Sequence, residues 1–588
     1  MYIIFGLIIL VLPLASIFLF ENKLRGILWA LFIVISYNLA LTLSLMAFSA
    51  FSYTALLIGQ LALSILVLAF MYKRRSVLLW HIHINPWVVS GFILMILMLC
   101  KIHFYYSGII AASDGPDTVS QNTYIYPYYS DEWVSAKAAS YSITSGKLPL
   151  VNPLWFDKPL ANPLFVFHSA IAEAFLVSQV DPVSGWGYVS TAFGVLLLFS
   201  IFLFLKSSGL DDFSSFAATF AVLFVTESSN LPGLWFLNAF LAGFILFILM
   251  IASFGLKDTR LALGYLFLSM ILYTPIIIFA APALLGYMIF NKNSSLKSMV
   301  ITALSGAFAV AITFILMSLH FGFEYIWQLF VSYIVRPNLD GGIPSYGVWN
   351  IIPLAVLPFS VAGIWYIWKR KIHYLSLPIL VGGIFWICYA YYPNTFVIDY
   401  SRTTVITSYL LVMASAFAIQ PVLRIVKEKA KEKYVLYALC SFVCITVVFL
   451  FVMYPIDTKW TRLVLNHETD NGIIKLQPVP PVTHFLDPDD LKLFRPYKDQ
   501  IFISPPWKGL VIGSATENYP VYSKPSTISN SILSYYYFAG LTCEDKIADI
   551  VKYGISLVYA DGTLDCQGLE LVGKSREGLY LYEYNVKI

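Results

Sequence analysis

Asp131 and Glu132 stand side by side in Tyr128-Tyr129-Ser130-Asp131-Glu132-Trp133-Val134, within a chain poor in charge and rich in apolar residues. A carboxylate held beside an acceptor hydroxyl can take its proton as the oxygen attacks an electrophilic carbon, typically worth about 10²- to 10⁴-fold in rate. Asp131 is the candidate base and Glu132 a secondary, orienting acid. The same pair also reads as an ordinary acidic first turn, where backbone N–H groups and the helix dipole favour negative charge. Of the arginines expected outside the membrane, Arg402 and Arg336 lie nearest the ends of apolar segments and are candidates for neutralising a phosphate that gains charge as it leaves. Lys158 is a third candidate cation, with a snorkelling interface side chain as its alternative. There is no Walker loop, dinucleotide fingerprint or Cys/His cluster, so this chemistry requires no cofactor. A divalent cation is compatible with an acid pair but not indicated: neighbouring helical residues diverge by about 100° and make poor joint ligands. No metal ligands are assigned, and His81 and His83 are too isolated to serve.

The elements that must hold these groups are apolar. Of 588 residues, 59% are hydrophobic and only 12% charged, which indicates a polytopic α-helical membrane protein. Apolar runs fall at 2–20, 27–46, 54–72, 87–108, 185–206, 213–228, 235–255, a two-segment hairpin within 261–291, then 299–319, 347–368, 374–391, 403–423 and 434–454. That makes about 14 spans of a length suited to a hydrocarbon core of about 30 Å. The first run begins at Met1 without a basic leader or a small-residue cleavage site, and is read as a retained span. Basic residues collect at Lys23 and Arg25, Lys73 to Arg75, Lys257 and Arg260, Lys292 and Lys297, Lys369 to Lys371, and Arg424 to Lys433. Alternating spans bring all of these to one face, the cytoplasmic one. The N-terminus, the 109–184 segment with both acids, and the C-terminal tail then lie outside. A net charge of +4 over this length implies no nucleic-acid partner.

After Tyr454 charged residues, Pro and Gly increase and apolar runs shorten, predicting a soluble extracytoplasmic α/β domain over 455–588. Strands are expected at 500–503, 509–512, 555–559 and 579–583, with a helix over 544–552. Cys543 and Cys566 belong to this domain, while Cys100, Cys388, Cys440 and Cys444 sit in spans. In an oxidising compartment the pair could close a loop and stabilise it by about 3 kcal/mol; two free buried thiols are the alternative. The helix opened by Asp131 is expected to carry Val134, Ala138 and Tyr141 on one face, which suits a weakly amphipathic segment lying on a membrane surface.

Gly146-Lys147-Leu148-Pro149 follows one helix length after the acids, then Asp157-Lys158-Pro159-Leu160, then an apolar segment over 163–180 carrying His168 and Glu173. In this order and at similar spacing, these elements resemble the lipid-linked, GT-C type glycosyltransferases, especially the branch with protein O-mannosyltransferases and lipid A aminoarabinose transferases. The resemblance covers roughly 87–454, leaving 1–86 as additional N-terminal helices. Asp399-Tyr400-Ser401-Arg402 is similar to the family's Arg-Tyr element, whose arginine contacts the lipid phosphate. The resemblance implies a GT-C-like core with a large first outer loop at 109–184, and transfer of a sugar from a polyprenyl-phosphate donor to an acceptor hydroxyl outside the membrane. It implies lipid, glycan or protein as acceptor.

The chain also departs from the family. Where an outer-end aspartate is common it has Asn238, with Glu227 in the preceding loop; His168 completes the secondary candidates. Leu272-Tyr273-Thr274-Pro275 replaces an element that normally supplies a lysine, and the Trp-Trp-Asp-Tyr-Gly motif of oligosaccharyltransferases is absent. Hydroxyl acceptors are therefore expected over asparagine. The competing class is a polytopic transporter or a flippase for lipid-linked sugars, which would place ionisable groups at mid-membrane and repeat its spans in two halves; neither pattern is visible.

Overall fold

A computed structural model describes residues 14, 16–17, 22–74, 85–104, 106–112, 115–122, 126–127, 130–154, 160–225, 237–290, 296–337, 352–353, 355–392, 394–429, 486–521, 532–575 and 578–585. The predicted span at 434–454, most of that at 2–20, and the candidates Lys158 and Glu227 lie outside these residues.

Helices α1 (Lys23–Ala47), α2 (Tyr53–Arg74) and α3 (Pro86–Phe104) lead into a hairpin of β1 (Tyr106–Ala112) and β2 (Gly115–Asn122), then α4 (Ser130–Ser145) and α5 (Phe165–Ser178). There follow α6 (Trp186–Ser207), α7 (Asp212–Ala221), α8 (Ala239–Gly255), α9 (Thr259–Leu272), α10 (Ile277–Phe290), α11 (Leu296–Phe321), α12 (Phe323–Ile334), β3 (Val335–Pro337), α13 (Leu357–Lys369), α14 (His373–Tyr391), β4 (Asn394–Phe396) and α15 (Tyr400–Lys429). The C-terminal part holds α16 (Pro488–Phe494), β5 (Ile501–Ile503), α17 (Pro506–Ala515), β6 (Tyr519–Pro520), α18 (Tyr535–Gly540), α19 (Cys543–Tyr553), β7 (Leu557–Ala560), β8 (Leu569–Lys574) and β9 (Tyr580–Tyr584).

Among the described residues, five stretches are long and apolar enough to cross a membrane: Lys23–Ala47, Tyr53–Lys73, Trp186–Ser207, Leu304–Phe321 and Tyr400–Ile425. The chain is accordingly an integral membrane protein. Several other predicted spans are shorter apolar helices, among them Ala239–Gly255 and Thr259–Leu272. The chain divides into two compact units, one of Met1–Leu45, Ser52–His103 and Tyr188–Val479, the other of Met46–Phe51, Phe104–Gly187 and Pro480–Ile588.

In the first unit α8 is buried from Ala239 through Phe254, as expected of a helix that is apolar all round and sheathed by others. It is approached closely by α9, where Ser269 Oγ donates to the Gly243 carbonyl at 2.8 Å. Pro275 separates α9 from α10 through a short 3₁₀ turn, Thr274–Ile276, because proline cannot donate the hydrogen bond a continuing helix needs. The ends of the helices also bring basic loops together. Arg25 Nε lies 3.3 Å from Asp258, whose carboxylate also caps α9 and accepts from Trp29 Nε1 at 3.0 Å. Arg370 Nη2 donates to Gln420 Oε1 at 2.9 Å. One pair of the basic segments predicted to share one face, that of Arg25 and that of Lys257 and Arg260, is thus in contact.

Helices α13 and α15 cross where a Cβ added to Gly363 would sit 2.0 Å from the Ala414 carbonyl oxygen. Close backbone approach at small residues is how helices associate in lipid, where no hydrophobic force draws them together. Gly363→Val is expected to push the helices apart and lower the thermal unfolding midpoint in detergent, by the equivalent of at least about 1–3 kcal/mol. An unchanged midpoint would contradict this crossing.

In the second unit a five-stranded sheet has the order β6-β5-β7-β9-β8, with β5 parallel to β6 and β7, and β9 antiparallel to β7 and β8. Strands β5, β7 and β9 and helix α19 lie where the sequence predicts them. The 509–512 stretch does not: it is the middle of α17, not a strand. Leu510, Val511 and Ile512 are all buried, and a short apolar run buried on every side carries no periodicity by which to tell the two apart. Pro505 and Pro506 decide it, since proline at the first helical position supplies a pre-set φ and lacks only an N–H that would have no partner. Cys543 and Cys566 form a disulfide that ties the start of α19 to the segment after β7. Beneath the sheet, Asp490 accepts from Lys508 Nζ at 2.5 Å, Tyr559 OH at 2.6 Å and the Asp487 N–H at 3.0 Å. Lys508 and Asp490 are both almost wholly shielded from water.

Candidate functional site

Helix α4 carries the acid pair in its first turn and stops at Gly146, whose N–H bonds to the Ser142 carbonyl at 2.9 Å. Gly146 sits at φ +70°, the left-handed conformation that a residue without Cβ adopts freely. The Gly-x-x-Pro element is therefore a helix stop. Glu132, Trp133, Ser135, Ala136, Ala138, Ala139 and Ser142 are buried, whereas Tyr141 is exposed. This differs from the predicted face of Val134, Ala138 and Tyr141 at a membrane surface. Helix α4 packs between α5 and α17, and its small residues allow that close approach. Asp131 remains half-buried at the entrance of the helix, while Glu132 is fully enclosed.

From the C-terminal side, Lys137 Nζ donates to the Thr516 carbonyl at the end of α17, where the helix dipole favours a cation. Burial lowers the Lys137 pKa to about 8, against the opposing pull of Glu517 and Asp499. After Gly146 the chain forms a closed stem: Asn152 N donates to Leu160 O and Asn162 N to Leu150 O, each at 2.8 Å, around an antiparallel bridge between Val151 and Ala161.

His168 is buried on α5, with Nε2 3.2 Å from Ser135 Oγ and Nδ1 2.8 Å from Asn162 Nδ2. Burial drives its pKa down to about 3. The folded protein thus holds the ring neutral while an unfolded chain protonates it near pH 6.5. Its contribution to stability is complete above pH 6.5 and is lost as the pH falls toward the folded value, with a slope of at most about 1.4 kcal/mol per pH unit. Wild type is expected to lose more melting temperature between pH 7.5 and pH 5 than His168→Gln does. Equal losses would show that His168 is not the group being titrated.

In the first unit, β3 and β4 pair antiparallel with Arg336 opposite Thr395. The chain then turns through Val397, at φ +64°, into α15. Asp399 opens that helix: its Oδ1 accepts from the Arg402 N–H at 2.7 Å and its Oδ2 lies 2.5 Å from Arg402 Nη1. The two candidate arginines, distant in sequence, are thereby carried on one strand pair and the helix it leads into. Asn238 has a different task, accepting from Leu241 N at 2.9 Å as the N-cap of α8. Among the described residues no group of three or more His, Cys, Asp or Glu could hold a metal ion.

Ser135, Asn162 and Lys137 were not signalled by the sequence, because their partners lie 6 to 379 residues away. Asp399 was within reach of sequence reasoning, as an acid three residues before Arg402 at a helix start.

No protein-family model matches the chain, and no curated protein matches it. Solved structures similar to it are those of an oligosaccharyltransferase from Archaeoglobus fulgidus. With an inhibitory peptide and a dolichol-phosphate bound, the TM-score is 0.44 at 12% identity, over 81% of this chain and 69% of that one. The apo form gives 0.48 at 12% identity, over 81% and 70%. The form tethered to an acceptor peptide with an NVT sequon gives 0.45 at 14% identity, over 81% and 69%.

Proposed function

We propose that this protein is an integral-membrane glycosyltransferase that moves a sugar from a polyprenyl-phosphate donor to an acceptor hydroxyl on the extracytoplasmic side, with Asp131 as general base. The observation that carries the proposal is the state of the acid pair: in the first turn of α4 Asp131 stays half-buried while Glu132, Trp133, Ser135 and Ala136 beside it are enclosed. In the reaction the acceptor oxygen attacks the anomeric carbon and gives its proton to the Asp131 carboxylate. The bond from that carbon to the phosphate oxygen breaks, leaving the electron pair on the lipid phosphate. Arg402, pre-oriented by Asp399, and Arg336 are assigned to that phosphate, with Lys158 as a further cation. Glu132 orients the first turn of α4. No nucleotide takes part, because the leaving group is a lipid monophosphate.

The disulfide supports an oxidising, extracytoplasmic compartment for the C-terminal residues. Single cysteines introduced at positions 75 and 540 of a cysteine-free variant are expected to label from opposite sides of intact membrane, and labelling from one side would overturn the orientation. The function itself is tested with purified protein in nanodiscs, a radiolabelled polyprenyl-phosphate sugar and a panel of hydroxyl acceptors. Protein-dependent release of polyprenyl monophosphate is the expected result. Movement of intact donor across proteoliposomes without that release would favour a carrier instead.

A further inference from the structure

Hydrogen-bond directions can be followed from the stem after α4 back to the candidate base. Asn162 Oδ1 accepts from the Leu164 N–H at 3.2 Å, so its Nδ2 is the atom facing the Pro149 carbonyl at 2.7 Å and His168 Nδ1 at 2.8 Å. The amide orientation is thus fixed by two backbone groups. Because Nδ2 can only donate, His168 Nδ1 accepts, and the ring proton of a neutral imidazole must sit on Nε2. That proton points at Ser135 Oγ, 3.2 Å away. Ser135 in turn donates to the Asp131 carbonyl at 2.7 Å. A Ser–His–Asn arrangement invites comparison with a nucleophilic triad, but here the histidine donates to the serine and cannot take its proton. His168 and Ser135 are also enclosed in the protein.

We propose that His168 is a positioning residue which, through Ser135, fixes the first turn of α4 and hence the place of Asp131. The inference rests on the reading of Asp131 as the base. The chain of bonds joins three segments that sequence separates, the 150–162 stem, α5 and α4, and ends on the backbone of the residue whose carboxylate must meet an acceptor hydroxyl. Misplacing a reacting group by about 1 Å can cost about 10²-fold in rate even when nothing at the reacting centre is removed. Loss of the link therefore acts on turnover and leaves donor binding alone.

The test measures kcat and KM for the donor in five variants, Asp131→Asn and its combination with Ser135→Ala among them. Ser135→Ala removes the hydroxyl with little change of volume, and His168→Leu removes both ring nitrogens. His168→Gln keeps a donor near the Nε2 position. Ser135→Ala and His168→Leu are expected to lower kcat by about tenfold with KM within twofold of wild type, and His168→Gln to stay within about threefold of wild-type kcat. In the Asp131→Asn background, Ser135→Ala is expected to cause no further loss, since coupled residues are non-additive. Wild-type turnover in Ser135→Ala, or a full additional tenfold loss in the Asp131→Asn background, would overturn the positioning role. Should His168→Leu fail to fold, the Ser135→Ala measurements decide alone. Full activity in Asp131→Asn would instead overturn the base assignment, and this inference with it.

Discussion

Asp131→Asn is expected to reduce transfer by at least about a hundredfold, the lower range for removal of a general base. Asparagine nearly matches aspartate in volume and can still accept and donate hydrogen bonds, but it does not take up a proton near neutral pH. Expression, membrane insertion and donor affinity should change little, because Asp131 is only half-buried. A capping role makes the opposite forecast: Asn is as good an N-cap as Asp, so the variant would behave as wild type. Turnover measured as release of polyprenyl monophosphate separates the two. Glu132→Gln is a less clean comparison, because Glu132 is fully buried and its substitution acts on packing as well as charge. If Asp131→Asn retains full activity, the base assignment is wrong.

Asp490→Ala is expected to destabilise the unit containing α4 and the C-terminal sheet by about 3–5 kcal/mol, since it leaves the Lys508 ammonium buried without its counter-charge. It also strips Tyr559 OH of an acceptor at 2.6 Å. Against a total stability of about 5–15 kcal/mol for a domain, that is enough to open the unit at moderate temperature. Lys508 lies on α17, which packs on α4, so transfer activity should fall together with resistance to proteolysis. The double variant Asp490→Leu with Lys508→Met removes both charges at once, and it should recover most of the stability. A single variant that melts within about 1 kcal/mol of wild type would show that water reaches the pair.

Five of about 14 expected spans were legible as helices long and apolar enough to cross a membrane, because such a span announces itself by length and composition alone, and helices such as Trp186–Ser207 and Tyr400–Lys429 start within a few residues of where the apolar runs begin. Three strands of the small sheet, β5, β7 and β9, were legible as short apolar runs, whereas β6 and the largely exposed β8 were not predicted. Periodicity failed at α17, where four apolar residues fit either a strand or an enclosed helix and only the preceding proline pair was informative. Among the candidate residues, the sequence pointed to Asp131 and His168 in one unit and to Arg402 in the other, but not to the surroundings of each. Spacing along one helix can predict that Asp399 meets Arg402, three residues apart. It cannot predict that Ser135 meets His168 or that Lys137 meets Thr516, because those pairs are set by how α5 and α17 pack against α4. For the same reason the buried face of α4 was misjudged. Amphipathicity ranks side chains by polarity, whereas this helix buries small and polar residues, Ser135, Ala136, Ala139 and Ser142, together with Glu132 and Trp133.

Helix α4 also has a timetable. Lys137 and the Thr516 carbonyl that receives its ammonium are 379 residues apart. At about 5–20 residues per second, roughly 20–75 s separate the synthesis of the two. Throughout that interval the acid-bearing helix has left the ribosome, but the helix that covers it has not been made. A chain stopped near residue 500 should therefore enter the membrane, and even engage a lipid donor, without being able to transfer sugar.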